Sequence, residues 1–142
     1  MPSMTTRQRA REVLRAHRYN LAALSTLPDE IRSLDLALTS ARTSRPDRLP
    51  GGGDNDRLER IIERRDELKL RLEMAELSAG AVKRALDALR PDERHILEVM
   101  DIDRQRGAAE RLREELCYSA VTTVYKLEAR AADHFAAAMF GV

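Results

Sequence analysis

Leu112 to Arg130, LREELCYSAVTTVYKLEAR, reads as a short helix, a tight turn and a second helix. Ala108, Leu112 and Leu116 recur at three- to four-residue spacing, as do Val124, Leu127, Ala131 and Phe135, so each helix carries one apolar stripe to bury. Between the stripes, Ser119 and Thr122 are each able to accept from the unpaired N–H groups at a helix start. With Val124, Leu127 and Ala131 facing inward, Thr122, Lys126 and Arg130 form an i, i+4, i+8 row on the opposite side, with Thr123 beside it. Such a row suits DNA: Arg and Lys pair with phosphates or guanine edges, and Thr offers a hydroxyl or methyl contact. The outline is that of a helix-turn-helix, whose second helix enters the major groove.

Working outward, composition favours thin helices over a large core. The 142 residues are 35% charged and 43% hydrophobic, but only 4% are aromatic and none is Trp, which limits the chain to one or two small domains. Gly and Pro are few, strand-like alternation is missing, and Ala, Leu, Arg and Glu dominate, so the expected class is all-α. No segment approaches the roughly 20 apolar residues of a membrane span, and the Arg-rich beginning is not followed by an apolar leader core. A cytoplasmic protein of a bacterial host cell is therefore expected, and the single Cys117, unable to form an internal disulfide, agrees with a reducing compartment.

Punctuation divides the chain into an N-terminal helical segment (1–43), a Pro/Gly-rich loop (44–55), a long helix of coiled-coil type (56–90) and a C-terminal helix-turn-helix domain (91–142). In the first, Val13, Leu14, Leu21, Leu24, Ile31, Leu34 and Leu38 keep helical spacing, while Pro28, with Thr26 and Asp29 as a capping box, predicts a kink or two consecutive helices. SRPDRLPGGGDN, Ser44 to Asn55, then breaks the helix. Beyond it, Leu58, Ile61, Leu68, Leu72, Val82, Leu86 and Leu89 lie on one heptad seam interrupted by Arg65, Ala75 and Ala79. A seam about 50 Å long needs a partner, either the first helix folded back as a hairpin or a second copy of the chain. Glu63 and Glu67, near Arg60, Arg64 and Arg71, read as a solvated flank. Arg90-Pro91-Asp92-Glu93 starts the last domain, with helices expected over Pro91 to Met100, Ala108 to Leu116 and Thr122 to Phe140.

The order of parts from Leu86 to Phe135 (ALDALRPDERHIL, a GAAERLREEL helix, then S-x-x-T-T-V-Y-K-L-x-x-R-A) resembles sigma-factor region 4, and more closely the small phage regulators of the RinA and ArpU type. Their P-G-G-G-like loop is matched by Ser44, Asp47, Pro50, Gly51, Gly52 and Gly53. The resemblance implies sequence-specific DNA binding in a phage or prophage, control of late or packaging genes, and contact with host RNA polymerase. By position it implies a recognition helix starting near Thr122, with Thr123, Tyr125, Lys126 and Arg130 toward DNA. From Leu116 to Val124 the spacing is one residue longer than L-x-x-S-x-x-T-V, which predicts an enlarged turn or a shifted register. Arg111 and Arg113 stand where backbone phosphates would be met, and Arg104 and Arg106 cluster just ahead of them.

Charge sets a counterweight. Pro91 to Val142 holds seven Lys/Arg against ten Asp/Glu, an unusual balance for a DNA-binding domain. The first twenty residues carry Arg7, Arg9, Arg11, Arg15 and Arg18 against Glu12 and read as solvated surface first, a second nucleic-acid contact next. Partners are thus double-stranded DNA, RNA polymerase and a second copy of the chain, a dimer before higher oligomers, with no membrane. A small-terminase-like packaging protein, whose DNA-binding unit stands at the opposite end, and a coiled-coil adaptor that ignores DNA are the alternatives. His17, His95 and His134 are scattered, Cys117 lacks a C-x-x-C companion, and Gly51-Gly52-Gly53 lacks the Lys-Ser/Thr of a phosphate loop. No catalysis, metal or cofactor is expected.

Overall fold

The computed structural model describes the backbone of residues 4–43 and 52–141. Every element is helical, in the order α1 (Met4–Thr43), α2 (Gly52–Asp87), α3 (Pro91–Leu97), a π-helical turn (Glu98–Asp103), α4 (Ala108–Glu115) and α5 (Val121–Phe140). The all-α class holds, and none of the described helices is long and apolar enough to cross a membrane. Of the expected glycine loop, Ser44, Asp47, Pro50 and Gly51 lie outside the described residues.

Several expected helix limits are corrected. Of the two alternatives at Pro28, two consecutive helices do not occur: α1 runs through it as one helix, and the Thr26 hydroxyl donates back to the Ala22 carbonyl at 3.2 Å instead of capping. Pro28 is exposed, and its ring leaves the carbonyl one turn earlier without its N–H partner in the helix. Gly52 to Asn55, expected in the loop, already belong to α2. Glycine in a first turn gives up little, because those N–H groups have no intrahelical acceptor, and Asp56 complements the positive end of the helix. α2 stops at Asp87, short of residue 90, because Arg90 precedes Pro91 and is held extended at φ −65°, ψ 148°. Pro91 then occupies the first position of α3, where a missing N–H costs nothing. The coil does not end at Met100 but widens into the π turn and closes at Arg104 in the left-handed region.

The chain divides into two compact units, Leu21–Leu77 and Met1–Asn20 together with Ser78–Val142. In the first, Ile31 and Leu38 of α1 and Leu68 and Ala75 of α2 are buried, and Arg65, the polar interruption of the seam, donates from Nη1 to Asp35 Oδ1 at 3.2 Å.

In the second unit, Ala10 and Leu14 of α1 join Val82, Ala85 and Leu86 of α2, Leu97 and Ile102 around the π turn, and Ala131, Ala132, Phe135 and Ala136 of α5 in one core. Small residues on α1, α2 and α5 let the helices approach closely around the Phe135 ring. Along one side of this core run two arginine clamps. Arg7 grips Asp133 through Nε and Nη2 at 2.8 and 2.7 Å, and Arg11 grips Glu128 through the same two atoms at 2.8 Å each. Glu128 is only 4% exposed, and beside it Asp101, on the π turn, is 6% exposed with Oδ2 lacking a hydrogen-bond partner. Burial, then the charge of Glu128 and a hydrogen bond to it, push the Asp101 carboxyl up to about 7 against the pull of Arg11 and Arg15. At neutral pH Asp101 is therefore about half ionised, beside the Glu128 that Arg11 holds.

The folded chain therefore retains a proton on Asp101 that the unfolded chain, with an ordinary value of 3.8, has released. The contribution of Asp101 to stability falls as pH rises from about 4 to about 7 and levels off above, where the group is ionised in both states. Asp101→Asn, uncharged and of equal size, is expected to remove that fall: on the order of 2–4 kcal/mol more stable than the parent at pH 8 and about equal at pH 4 in urea denaturation. Parallel pH profiles for the two chains would refute the burial of a protonated Asp101.

Candidate nucleic-acid interface

α4 begins after Gly107, whose φ of 76° redirects the chain out of the π turn, and its first helical bond runs from Arg111 N–H to the Gly107 carbonyl at 3.0 Å. It is short because Cys117 adopts φ 60°. The Cys117 N–H then donates to the Glu114 carbonyl at 3.2 Å and the Tyr118 N–H to the Arg113 carbonyl at 3.0 Å, the paired bonds of a Schellman stop. Tyr118 packs with Ile96, Leu112, Leu116, Val124 and Leu127, a small second core that holds α4 against α3 and α5. Arg113 reinforces the turn by donating from Nη1 to the Tyr118 carbonyl at 3.2 Å.

α5 starts at Val121, one residue earlier than expected, with the extended Ala120 as its flanking residue and no side-chain cap from Ser119 or Thr122. Val124, Glu128, Ala131, Ala132, Phe135 and Ala136 are buried, which turns Thr122, Lys126 and Arg130 outward along one exposed row, with Thr123 half-buried at its side. The row ends at Asp133, which Arg7 covers. Tyr125, 53% exposed, flanks a recess of about 400 Å³ also lined by Met100, Gln105, Gly107, Ala109 and Val121. The expected residues of α5 thus lie together on the first two and a half turns of one helix.

The arginines separate into two groups. Arg113, which position assigned to a phosphate, is occupied: besides Tyr118 it bonds Glu110 Oε1 from Nε at 2.7 Å and approaches Glu114. Arg111 is exposed and donates to the neutral Gln105 side chain at 2.6 Å, so its charge is uncompensated by that contact. Arg104, Arg106, Lys126 and Arg130 are exposed and have no ion-pair partner among the described residues. At the other end, Arg7 and Arg11 are structural clamps, Arg9 lies 4.5 Å over the Phe140 ring, and Arg18 donates to the Asp103 carbonyl. For four of the five N-terminal arginines the structure has an internal use.

That use settles the acidic balance of the last segment. Asp133 and Glu128 are neutralised from α1, Glu98 by Arg94, and Glu93 and Glu115 hydrogen-bond His134 and His95. The whole unit, first twenty residues included, holds fifteen Lys/Arg against twelve Asp/Glu, and Asp101 is close to half-protonated at neutral pH. The acids of α5, Glu128 and Asp133, are held by α1, while Lys126 and Arg130 remain outside. Asp101, Glu128 and His17, the last kept neutral by burial, carry no local signal in the sequence that would mark them as buried. Among the described residues no three His, Cys, Asp or Glu side chains gather as a metal site.

The turn supplies a test of its geometry. A left-handed Cys costs roughly 1 kcal/mol relative to Gly, so Cys117→Gly is expected to raise stability by about 0.5–1 kcal/mol, measured by chemical denaturation. A loss of stability would mean that the turn is not closed in this way. No protein-family model matches the chain, and neither a curated protein nor a solved structure does.

Proposed function

We propose that this chain is a sequence-specific DNA-binding regulator of the phage or prophage type, with α4, the Schellman turn and α5 acting as a helix-turn-helix and α5 entering the major groove. The observation that carries the reading is the outward row Thr122, Lys126, Arg130, whose two cations have no ion-pair partner among the described residues on a helix whose opposite side is core. An exposed surface row usually carries mixed charges that pair along the helix; here the acids of α5, Glu128 and Asp133, are held by α1. Lys126 and Arg130 would meet bases and phosphates, Thr122 and Thr123 would add hydroxyl or methyl contacts, and Tyr125 and Arg111 would border the backbone. The long α1 and α2 would offer a surface to another copy. Late-gene control and contact with RNA polymerase rest on the resemblance to RinA- and ArpU-type regulators alone.

Selection of binding sites from random double-stranded DNA, followed by titration at two salt concentrations, tests the reading. We expect one enriched sequence bound with a steep salt dependence. Lys126→Ala with Arg130→Ala should weaken it by about 1–3 kcal/mol and shallow the salt slope by about one to two, with an unchanged circular dichroism spectrum. Retention of full affinity by the double variant would remove this face, and no binding at low salt would remove the DNA function.

A further inference from the structure

Arg7, Arg11, Arg15 and Arg18 follow one another at helical spacing on one side of α1. Arg7 takes Asp133 and Arg11 takes Glu128, so the row runs antiparallel to α5. Carried on at the same rate, Arg15 comes level with the first turn of α5 and Arg18 passes its start, where α5 has no acid to offer them. What meets them instead is the π turn. The charge of Arg15 acts on Asp101, and Arg18 donates to the Asp103 carbonyl at 3.4 Å, which places the guanidinium without neutralising it. Asp103 is followed by Arg104 and Arg106, and Gln105 between them accepts from Arg111 Nη1 at 2.6 Å. All of these arginines beyond the two clamps are exposed, and none forms an ion pair among the described residues. Arg104 also occupies the left-handed region at φ 49°, so a cation is kept where a glycine would be less strained.

We propose that Arg15, Arg18, Arg104, Arg106 and Arg111 form one phosphate-binding surface that holds the backbone of double-stranded DNA beside the first turn of α5. The five belong to one compact unit, residues 1–20 with 78–142. They are contiguous with α5, because Gln105, which holds Arg111, lines the same recess as Tyr125. Glu110, also on that recess, is held by Arg113 at 2.7 Å, so Glu12 and Asp103 are the acids left alongside. Cations in excess make the surface positive, and their spread selects the occupant. A small anion needs donors that converge on one point, whereas these guanidinium groups come from α1, from the stretch after the π turn and from α4, and suit a polymer whose phosphates repeat. The surface rests on the DNA reading of α5 only in naming that polymer, since phosphate contacts are blind to sequence. It also gives the N-terminal arginine row a division of labour: the first two members hold α5 in place, and the next two reach past it toward the ligand.

The test is titration of the full chain across a salt series with two DNA duplexes of equal length, one of random sequence and one carrying whatever sequence selection enriches. Arg104→Gln with Arg106→Gln and Arg111→Gln should weaken both complexes alike, by about tenfold or more at a fixed salt concentration, and shallow both salt slopes by about two to three. Arg15→Gln with Arg18→Gln should shallow both by about one to two. Neither variant removes an ion pair, so the denaturation midpoint should stay at the parent's value. Lys83→Gln with Arg84→Gln, which takes two exposed cations from α2 in the same unit, should leave both slopes unchanged. Unaltered slopes in both arginine variants overturn the proposal, and a persisting sequence preference then leaves the function of α5 standing. An equal effect of Lys83→Gln with Arg84→Gln overturns it as well, because binding would follow net charge and not this surface. Arginine-dependent slopes on two duplexes that the chain fails to tell apart uphold the surface and sink the sequence-specific reading. No binding to either duplex at low salt overturns both.

Discussion

The ion pair of half-buried Arg11 with buried Glu128, with Asp101 against it, is the constraint on which the unit built from residues 1–20 and 78–142 depends. Two carboxyls in an apolar interior repel each other and lose their hydration, a cost that only a proton, a cation or both can offset. This chain uses both: Arg11 supplies two charge-assisted bonds to Glu128, and Asp101 is pushed up to about 7. The three residues come from α1, the π turn and α5, so the charge balance is met only when all three are assembled. Apolar packing around Phe135 favours any compact arrangement of these helices, whereas the bidentate geometry fixes which turn of α1 meets which turn of α5. Register, more than net stability, is what such a pair contributes.

The same constraint reorganises the surface charge. Read segment by segment, the last fifty residues look too acidic to approach a polyanion. Once Arg7 and Arg11 cross to Asp133 and Glu128, the two acids of α5 are neutralised, and the outer side of its first turns is left with two cations and two threonines. Charge counts taken along a chain treat neighbours in sequence as neighbours in space. Here the compensating residues are 117 and 126 positions apart, and no local window contains both.

That separation divides what was legible in the sequence from what was not. Apolar periodicity is a local property imposed by the helix itself, so Leu112, Val124, Ala131 and Phe135, and the seam residues Leu68, Val82 and Leu86, are buried where their spacing predicts. The Arg90-Pro91 break is equally local, since the proline ring restricts the residue before it. Pro28 misleads for the converse reason: the penalty is real, but packing along a forty-residue helix outweighs one lost bond on an exposed face. The clamps, the protonated Asp101 and the occupied Arg113 are tertiary facts. An arginine that pairs and one that waits for a ligand have the same local signature.

The extra residue between Leu116 and Val124 brings these strands together. Inserted into a helix, one residue would rotate everything after it by 100° and carry Lys126 toward the core. It is absorbed instead between the helices, where Cys117 takes a left-handed conformation and Ala120 an extended one, so that α5 begins at Val121 with its stripe still inward. Glu128 makes the alternative costly. A rotated α5 would withdraw its carboxylate from Arg11 and leave a half-buried guanidinium, the buried Asp101 and an apolar stripe all facing the wrong neighbours. The turn can vary in length because the clamp does not, and the outward direction of Lys126 and Arg130 is a consequence of an ion pair on the far side of their helix.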